Sequence, residues 1–173
     1  MSQELVITAV GTDRPGIVAE LTGFVHAAGA NLADSRMAHL RGQFALLALV
    51  EGSADVLADV EKRVREAANA MGVRIDVSHP PKVGATSGLP FRLKTYSMDQ
   101  PGIVHKVTSF LRQKNINVEE LDTHLESAPF MGTPVFTMEL LMTVPRDTSV
   151  KELRRALEEL GDTLNCDVDL DPA

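Results

Sequence analysis

One short motif occurs twice in this sequence, and its residues are the best candidates for binding chemistry. Residues 13–18 read DRPGIV and residues 99–104 read DQPGIV, so the motif recurs 86 positions later. Asp, Pro and Gly are typical of a turn that leads from a strand into a helix. The first N–H groups of a helix have no partner inside it, and the helix dipole favours negative charge there. Such a turn can be purely structural, or it can bind the carboxylate of a ligand.

Gly and Asn residues in and after the motif could complete a binding site. Gly16 and Gly102 lack a side chain that would block the close approach of a ligand. Asn31 and Asn117 follow the same apolar stretches, and their amides both donate and accept hydrogen bonds. Gly29 and Asn31 are equally suited to ending a helix without any ligand. The residues alone leave both interpretations open.

The sequence shows no pattern of an enzyme or a metal site. Phosphate-loop and nucleophile-elbow motifs are absent. Cys166, the one cysteine, has no histidine near it in sequence, so an inert thiol is expected. Five histidines lack the spacing of metal ligands, namely His26, His39, His79, His105 and His124. We therefore expect no enzyme, no catalytic residue, no metal ion and no cofactor.

The repeat extends beyond the motif and predicts two copies of one domain. Residues 13–32 and 99–118 are identical at eight of twenty positions, which is typical of an internal duplication. Residues 78–90 contain three prolines and two glycines, a composition that predicts a linker. The predicted boundaries are a first domain over 1–77, the linker over 78–90 and a second domain over 91–173.

Each half shows the order strand, helix, strand, strand, helix, strand. Apolar positions at helical spacing follow the motif in both halves, and alternating apolar residues mark the strands. Asp13 is expected to cap the first helix, with Pro15 in its first turn, and Ser53 or Asp55 to cap the second. Ser149 is expected to cap the last helix. This order predicts an α+β fold made of two ferredoxin-like sandwiches.

Charge and composition limit the cellular compartment and the binding partners that we expect for this protein. The net charge of -7, without a recognisable DNA-binding motif, argues against direct nucleic-acid binding. The longest apolar run, residues 44–50, is too short to span a bilayer, so no membrane association is expected. A lone cysteine and no visible secretory signal predict a cytoplasmic protein.

The repeated motif in its strand–turn–helix setting, with the Asn and an apolar residue that follow, resembles the ACT domain. That family comprises small ligand-sensing modules that pair and often bind amino acids where they meet. A tandem pair without a catalytic domain, with GTPVF at residues 132–136, is similar to the glycine cleavage system transcriptional repressor family. RNA-recognition modules share the fold, but exposed aromatics for base stacking are lacking here. Acyl-phosphate hydrolases share it too, but Asp13 and Asp99 stand where their phosphate loop would be.

The resemblance implies a ligand site in each copy. In the first copy its residues are Asp13, Pro15, Gly16, Ile17, Asn31 and Leu32. In the second copy they are Asp99, Pro101, Gly102, Ile103, Asn117 and Val118. Residues 37–39 do not align with residues 123–125 without a gap, so the opposite wall of the pocket is not carried over.

The resemblance also implies partners. A small amino acid, glycine first, is the expected ligand. The two modules are expected to pair, and apolar helix faces suggest a homodimer. Control of transcription would then run through a DNA-binding activator protein. The alternative is a sensor or a scaffold that regulates a metabolic enzyme in trans.

Overall fold

The computed structural model describes residues 3–80, 88–127 and 134–173. The chain divides into two compact units, Met1–Val83 (unit 1) and Gly84–Ala173 (unit 2). The elements of unit 1 are β1 (Gln3–Thr12), α1 (Ile17–Ala27), β2 (Asn31–Leu40), β3 (Gln43–Gly52), α2 (Ala54–Met71) and β4 (Val73–Ser78). The elements of unit 2 are β5 (Gly88–Met98), α3 (Ile103–Gln113), β6 (Asn117–Ser127), β7 (Pro134–Pro145), α4 (Val150–Leu164) and β8 (Cys166–Pro172). This is the predicted element order in both halves.

Each unit is a four-stranded antiparallel sheet with two helices on one face. The strand orders are β2-β3-β1-β4 and β6-β7-β5-β8. On β1 every second residue is buried, because only one face of the sheet lies under the helices. These buried residues join apolar positions of both helices in one core per unit, which is mostly aliphatic. The predicted α+β class with two ferredoxin-like sandwiches is confirmed.

The helices leave the edge strand β2 uncovered. All ten of its residues are exposed, including Met37 and Leu40 on a strand that pairs only with β3. In unit 2 the corresponding strand β6 is exposed at every described position except Val118, which is half-buried. An exposed edge strand presents unpaired N–H and C=O groups, so both units have an edge ready to pair with another strand.

The structure corrects the expected gap between β2 and β6. Both strands begin at an Asn, and both change register at the same place, at Leu32/Asp34 and at Val118/Glu120. Residues 37–39 pair with residues 44–46, and residues 123–125 pair with residues 136–138 at the equivalent part of the next strand. Met37 therefore corresponds to Thr123 and His39 to Leu125, with no gap.

The first helix of each unit begins differently from the prediction. Gly16, not Asp13, is the N-cap of α1, and no side chain accepts a hydrogen bond there. Pro15 lies in the turn before the helix rather than in its first turn. Gly16 and Gly102 have φ angles of 89° and 97°, a left-handed conformation that favours glycine. The glycine makes the sharp change of direction, so a capping side chain is not needed.

The remaining helix ends agree in part with the sequence. Gly29 follows α1 with φ 78°, as a helix-ending glycine should, but Asn31 is already the first residue of β2. Ser149 caps α4 as predicted, because its hydroxyl accepts a hydrogen bond from the Glu152 N–H at 3.4 Å. Ser53 is the N-cap of α2 without a side-chain hydrogen bond, and Asp55 lies within that helix.

Strands occupy both ends of the predicted linker. β4 extends to Ser78 and β5 begins at Gly88, while residues 81–87 lie outside the described residues. Residues 132 and 133 of the GTPVF segment also lie outside them, and Pro134 begins β7. In the described ranges, no helix combines the length and the apolar character needed to cross a bilayer.

Candidate functional site

The turn between β1 and α1 is attached to the tip of the neighbouring hairpin. The Asp13 N–H donates to the carbonyl of Gly42, which joins β2 to β3, at 2.9 Å. The first helical hydrogen bond runs from the Glu20 N–H to the Gly16 carbonyl at 2.9 Å. The N–H groups of Val18 and Ala19 precede that bond, so they belong to the helix start that has no acceptor within the helix. These donors are positioned for an anionic group.

An open groove of about 620 Å³ lies along this turn. Residues 13–19 form one side, and Met37 on the uncovered strand β2 forms the other. His39, two residues further along the same face of β2, approaches Asp13 with Nε2 and Oδ2 3.6 Å apart. A small zwitterion fits this combination, because backbone donors and a carboxylate are both present.

An ion pair between Arg14 and Glu20 spans the start of α1. Arg14 donates to both carboxylate oxygens of Glu20, at 2.6 and 2.7 Å. This bidentate contact lowers the pKa of Glu20 and raises the pKa of Arg14. Both side chains are partly exposed, so the pair contributes little to stability but fixes where the charges lie. Glu20 thereby keeps Arg14 from acting as an unpaired cation for a ligand.

The equivalent turn of unit 2 has the same backbone and different side chains. The Lys106 N–H donates to the Gly102 carbonyl at 2.9 Å, as Glu20 does to Gly16. Gln100 stands in place of Arg14, and its side-chain amide donates to the carbonyl of Leu164 at the end of α4. The two turns therefore offer a ligand the same N–H donors but different charges: Lys106 replaces a carboxylate.

The structure brings together only part of each predicted set. The Asp, Pro and Gly of each motif share one turn, whereas Ile17 and Ile103 are buried in the cores and can offer only their backbone. Asn31 and Leu32 begin β2, where Asn31 pairs with Glu51. Asp13 contacts the opposite end of the β2–β3 hairpin, and a ten-residue strand spans roughly 30 Å.

Unit 2 repeats this separation. Asn117 and Val118 begin β6 and pair with Thr143 and Met142. Asp99 follows the end of β5, which pairs with the opposite end of β7. Within one unit, a ligand of amino-acid size at the turn does not reach the Asn and the apolar residue beside it.

Lack of space does not explain the glycines. A Cβ on Gly102 would meet no atom within 4 Å, and one on Gly16 would meet only Oε1 of Glu20 at 3.8 Å. Their positive φ angles are the reason that glycine stands there. Valine at either position would strain the backbone, whether or not a ligand binds beside it.

Sequence reasoning missed Met37, His39 and the Arg14–Glu20 pair. The first two were hidden by the supposed gap, although the 86-residue offset continues through β2 and would have placed them on the groove side of the strand. Arg14 and Glu20 are six residues apart, which is not a spacing that predicts a contact. Among the described residues, no group of three or more His, Cys, Asp or Glu side chains is placed to hold a metal ion.

Comparison with known proteins decides the family. The family model of the ACT domain matches residues 3–78, which is unit 1 from β1 to β4. The chain belongs to the ACT domain family. A crystal structure of an unknown protein from Galdieria sulphuraria superposes with a TM-score of 0.83 at 28% identity, covering 100% of this chain and 99% of that one. A solved structure therefore has the same two-unit fold over the full length of this chain.

The ACT-domain protein is related to a named regulator. The glycine cleavage system transcriptional repressor of Escherichia coli (strain K12) is 25% identical over 166 residues, covering 93% of this chain and 85% of that protein. The crystal structure of a protein assigned as such a repressor has a TM-score of 0.73 at 28% identity, covering 99% of this chain and 97% of that one. These relatives match nearly the whole length of this chain, not one module.

Proposed function

We propose that this ACT-domain protein is an amino-acid sensor that responds to glycine and regulates the glycine cleavage system. The observation that carries the proposal is its relation, across 93% of the chain, to a repressor of that system. The groove at the Asp13 turn supports it, because its donors and its carboxylate suit a small zwitterion. The protein acts as a regulator, not as an enzyme.

The ligand's carboxylate binds the N–H groups at the start of α1, near Val18 and Ala19. The helix dipole adds to this attraction, which is strongest within the first turn. The ammonium group of glycine binds the carboxylate of Asp13, on the same turn. In unit 2, Asp99 has the same role, and Lys106 adds positive charge beside the carboxylate.

A partner module supplies the second wall of the site. β2 is exposed along its length and pairs with only one strand, so a second edge strand can add to it. If the two edges run antiparallel, the first residue of the partner's strand lies beside the last residues of β2. That brings an Asn equivalent to Asn31 or Asn117 to the turn of the opposite module. The pairing explains how one ligand can use residues that lie at opposite ends of a single unit.

Regulation proceeds through a protein partner, a DNA-binding activator, because the protein's own charge does not suit DNA. The net charge is -7, and non-specific affinity for nucleic acid comes mainly from Lys and Arg neutralising phosphates. Glycine binding changes how module edges pair, and the altered assembly changes its contact with the activator. The functional protein is a homodimer with four modules.

A thermal-shift screen against the twenty amino acids tests the proposed ligand. A ligand that binds only the folded state raises the unfolding temperature, and the shift grows with ligand concentration. Glycine is expected to give the largest shift. A larger shift with a bulky amino acid, or no shift with any of the twenty, would overturn the choice of glycine.

A further inference from the structure

The sheet face of unit 1 that points away from its helices is apolar at its centre. We call it the open face of unit 1. Every second residue of β1 and β3 lies on it, and neighbouring residues pair across the two strands. Leu47 is 48% exposed, a large apolar side chain in the middle of a sheet. The central residues are Val6, Thr8, Val10, Ala45, Leu47 and Leu49. Apart from the hydroxyl of Thr8 this centre is apolar, and an apolar patch is typical of a surface that is covered in an assembly.

Unit 2 provides an internal comparison, because three of the six equivalent positions on its open face are charged. Arg92 and Lys94 stand where Val6 and Thr8 stand in unit 1, and Glu139 stands where Leu47 does. Glu139 bonds to Arg92, and it lies 3.4 Å from Nζ of Lys94. One fold therefore carries an ion-pair network on one copy of this face and aliphatic side chains on the other. The charged face of unit 2 is suited to exposure to solvent. The apolar face of unit 1 is suited to packing against another protein surface.

We propose that the open face of unit 1 packs against the same face of a second copy of the chain. Four strands at about 4.8 Å spacing and about 30 Å of strand length give about 600 Å² per copy, and about 1,200 Å² in total. That exceeds the roughly 1,000 Å² expected of a specific interface. Two such faces pack as the sheets of a β-sandwich do, about 10 Å apart with aligned strands.

Charged residues at the two edges fix the orientation of the second copy. One row across the sheet runs from Arg36 on β2 through Leu47 and Thr8 to Asp76 on β4. A two-fold axis parallel to the strands places β2 over the partner copy's β4, so that each Arg36 faces an Asp76. An axis perpendicular to the strands would place like charges over each other, which is unfavourable. Arg36 also bonds to Asp34 at 2.7 Å, and both side chains are exposed.

This interface is separate from the ligand site. Met37 and His39 point to the helix side of the sheet, whereas Arg36 and Leu47 lie on the opposite side. The edge of β2 stays available for a partner module while the open face is covered. The inference therefore does not depend on the proposed response to glycine.

A matched pair of substitutions tests the inference in the full chain. Leu49 and Leu141 occupy equivalent positions on the two open faces. Sedimentation equilibrium at about 20 µM, a concentration at which a micromolar dimer is formed, should give twice the 18.7 kDa mass for the wild type. Leu49→Glu should raise the dimer dissociation constant at least about tenfold, since it buries a carboxylate. Leu141→Glu should leave it unchanged.

Three results would overturn the inference: a monomeric wild type, an intact dimer in Leu49→Glu, or equal dissociation of both variants. Circular dichroism checks that each variant is folded. Leu47→Glu is the second variant, because unit 2 carries Glu139 at that position within the same fold. If Leu49→Glu fails to fold, the interface is tested by the mass of Leu47→Glu in sedimentation equilibrium, which should then show the loss of the dimer.

A charge exchange distinguishes a second copy from any other occupant. Arg36 and Asp76 lie three strand spacings apart, about 14 Å, so they do not pair within one unit. Asp76→Arg should raise the dissociation constant about tenfold by facing Arg36 of the partner copy. Adding Arg36→Asp should restore the dimer, because only a second copy carries the compensating change. A double variant as weak as the single one would refute the proposed orientation and partner.

Discussion

At the scale of single residues, the Arg14–Glu20 pair gives a direct test of the turn's electrostatics. Arg14 holds the pKa of Glu20 below its ordinary value, so the pair's stabilisation is present above the usual Glu range of about 4.3 and is lost as the pH falls through the lowered pKa. Carboxyl NMR titration should show this depressed value. Arg14→Ala should return Glu20 to the ordinary range.

Glu139 is the control for that titration. Its pKa is lowered by Arg92 and Lys94 in unit 2, so it should stay depressed when Arg14 is removed. If Glu20 already titrates at the ordinary value in the wild type, the ion pair across the helix start does not form in solution.

The residues of the site show what sequence could and could not predict. The recurrence of Asp13 and Asp99 within one motif was enough to locate both turns, because duplication preserves local spacing. Gly16 was correctly linked to the turn, but its positive φ angle, a further reason for glycine there, became visible only in the structure. Asn31 was placed at the end of a helix, yet it starts a strand and lies far from Asp13, a distance that only the sheet register reveals.

At the scale of elements, two helical glycines look alike in sequence and differ in packing. A Cβ on Gly161 in α4 would lie 2.5 Å from the Cys166 carbonyl and 2.7 Å from Cγ2 of Val168. Gly161→Ala should therefore destabilise the protein by about 1–3 kcal/mol, as overpacking does. The measurement is the denaturant midpoint of unfolding, followed by circular dichroism.

Gly23 in α1 is the matched control. It is exposed, and a Cβ there would meet no atom within 4 Å. Gly23→Ala should stabilise the helix by up to about 1 kcal/mol, because alanine has the higher helix propensity. Similar midpoints for the two variants would show that α4 does not pack against β8 as closely as described.

The elements themselves were predictable because their apolar positions repeat at helical or strand spacing. The faces that those elements leave uncovered could not be predicted from this spacing. The sequence suggested that apolar helix faces form the dimer surface. Residues of those faces, such as Leu21 and Val107, are instead buried in the cores of their own units. Met37 on β2 and Leu47 on β3 remain exposed, because two helices do not cover a four-stranded sheet completely and leave its second face open.

At the scale of the whole molecule, net charge allows a test of the proposed regulation through a protein partner. With a net charge of -7, the pure protein should give no specific gel shift on glycine cleavage system promoter DNA. A shift should appear only when a DNA-binding activator is also present. A shift by the pure protein that survives competitor DNA would show that it binds DNA directly.

The central claim is that glycine binds at the motif turns, and calorimetric titration of glycine into the full-length protein tests it most directly. A charge-assisted hydrogen bond is worth roughly 1.5–3 kcal/mol. Asp13→Ala/Asp99→Ala should therefore weaken binding by about one to two decades. The control Asp169→Ala/Asp171→Ala removes the same charge from β8, which belongs to neither motif, and should bind as the wild type does. Equal glycine affinity in the wild type and in Asp13→Ala/Asp99→Ala would contradict the claim.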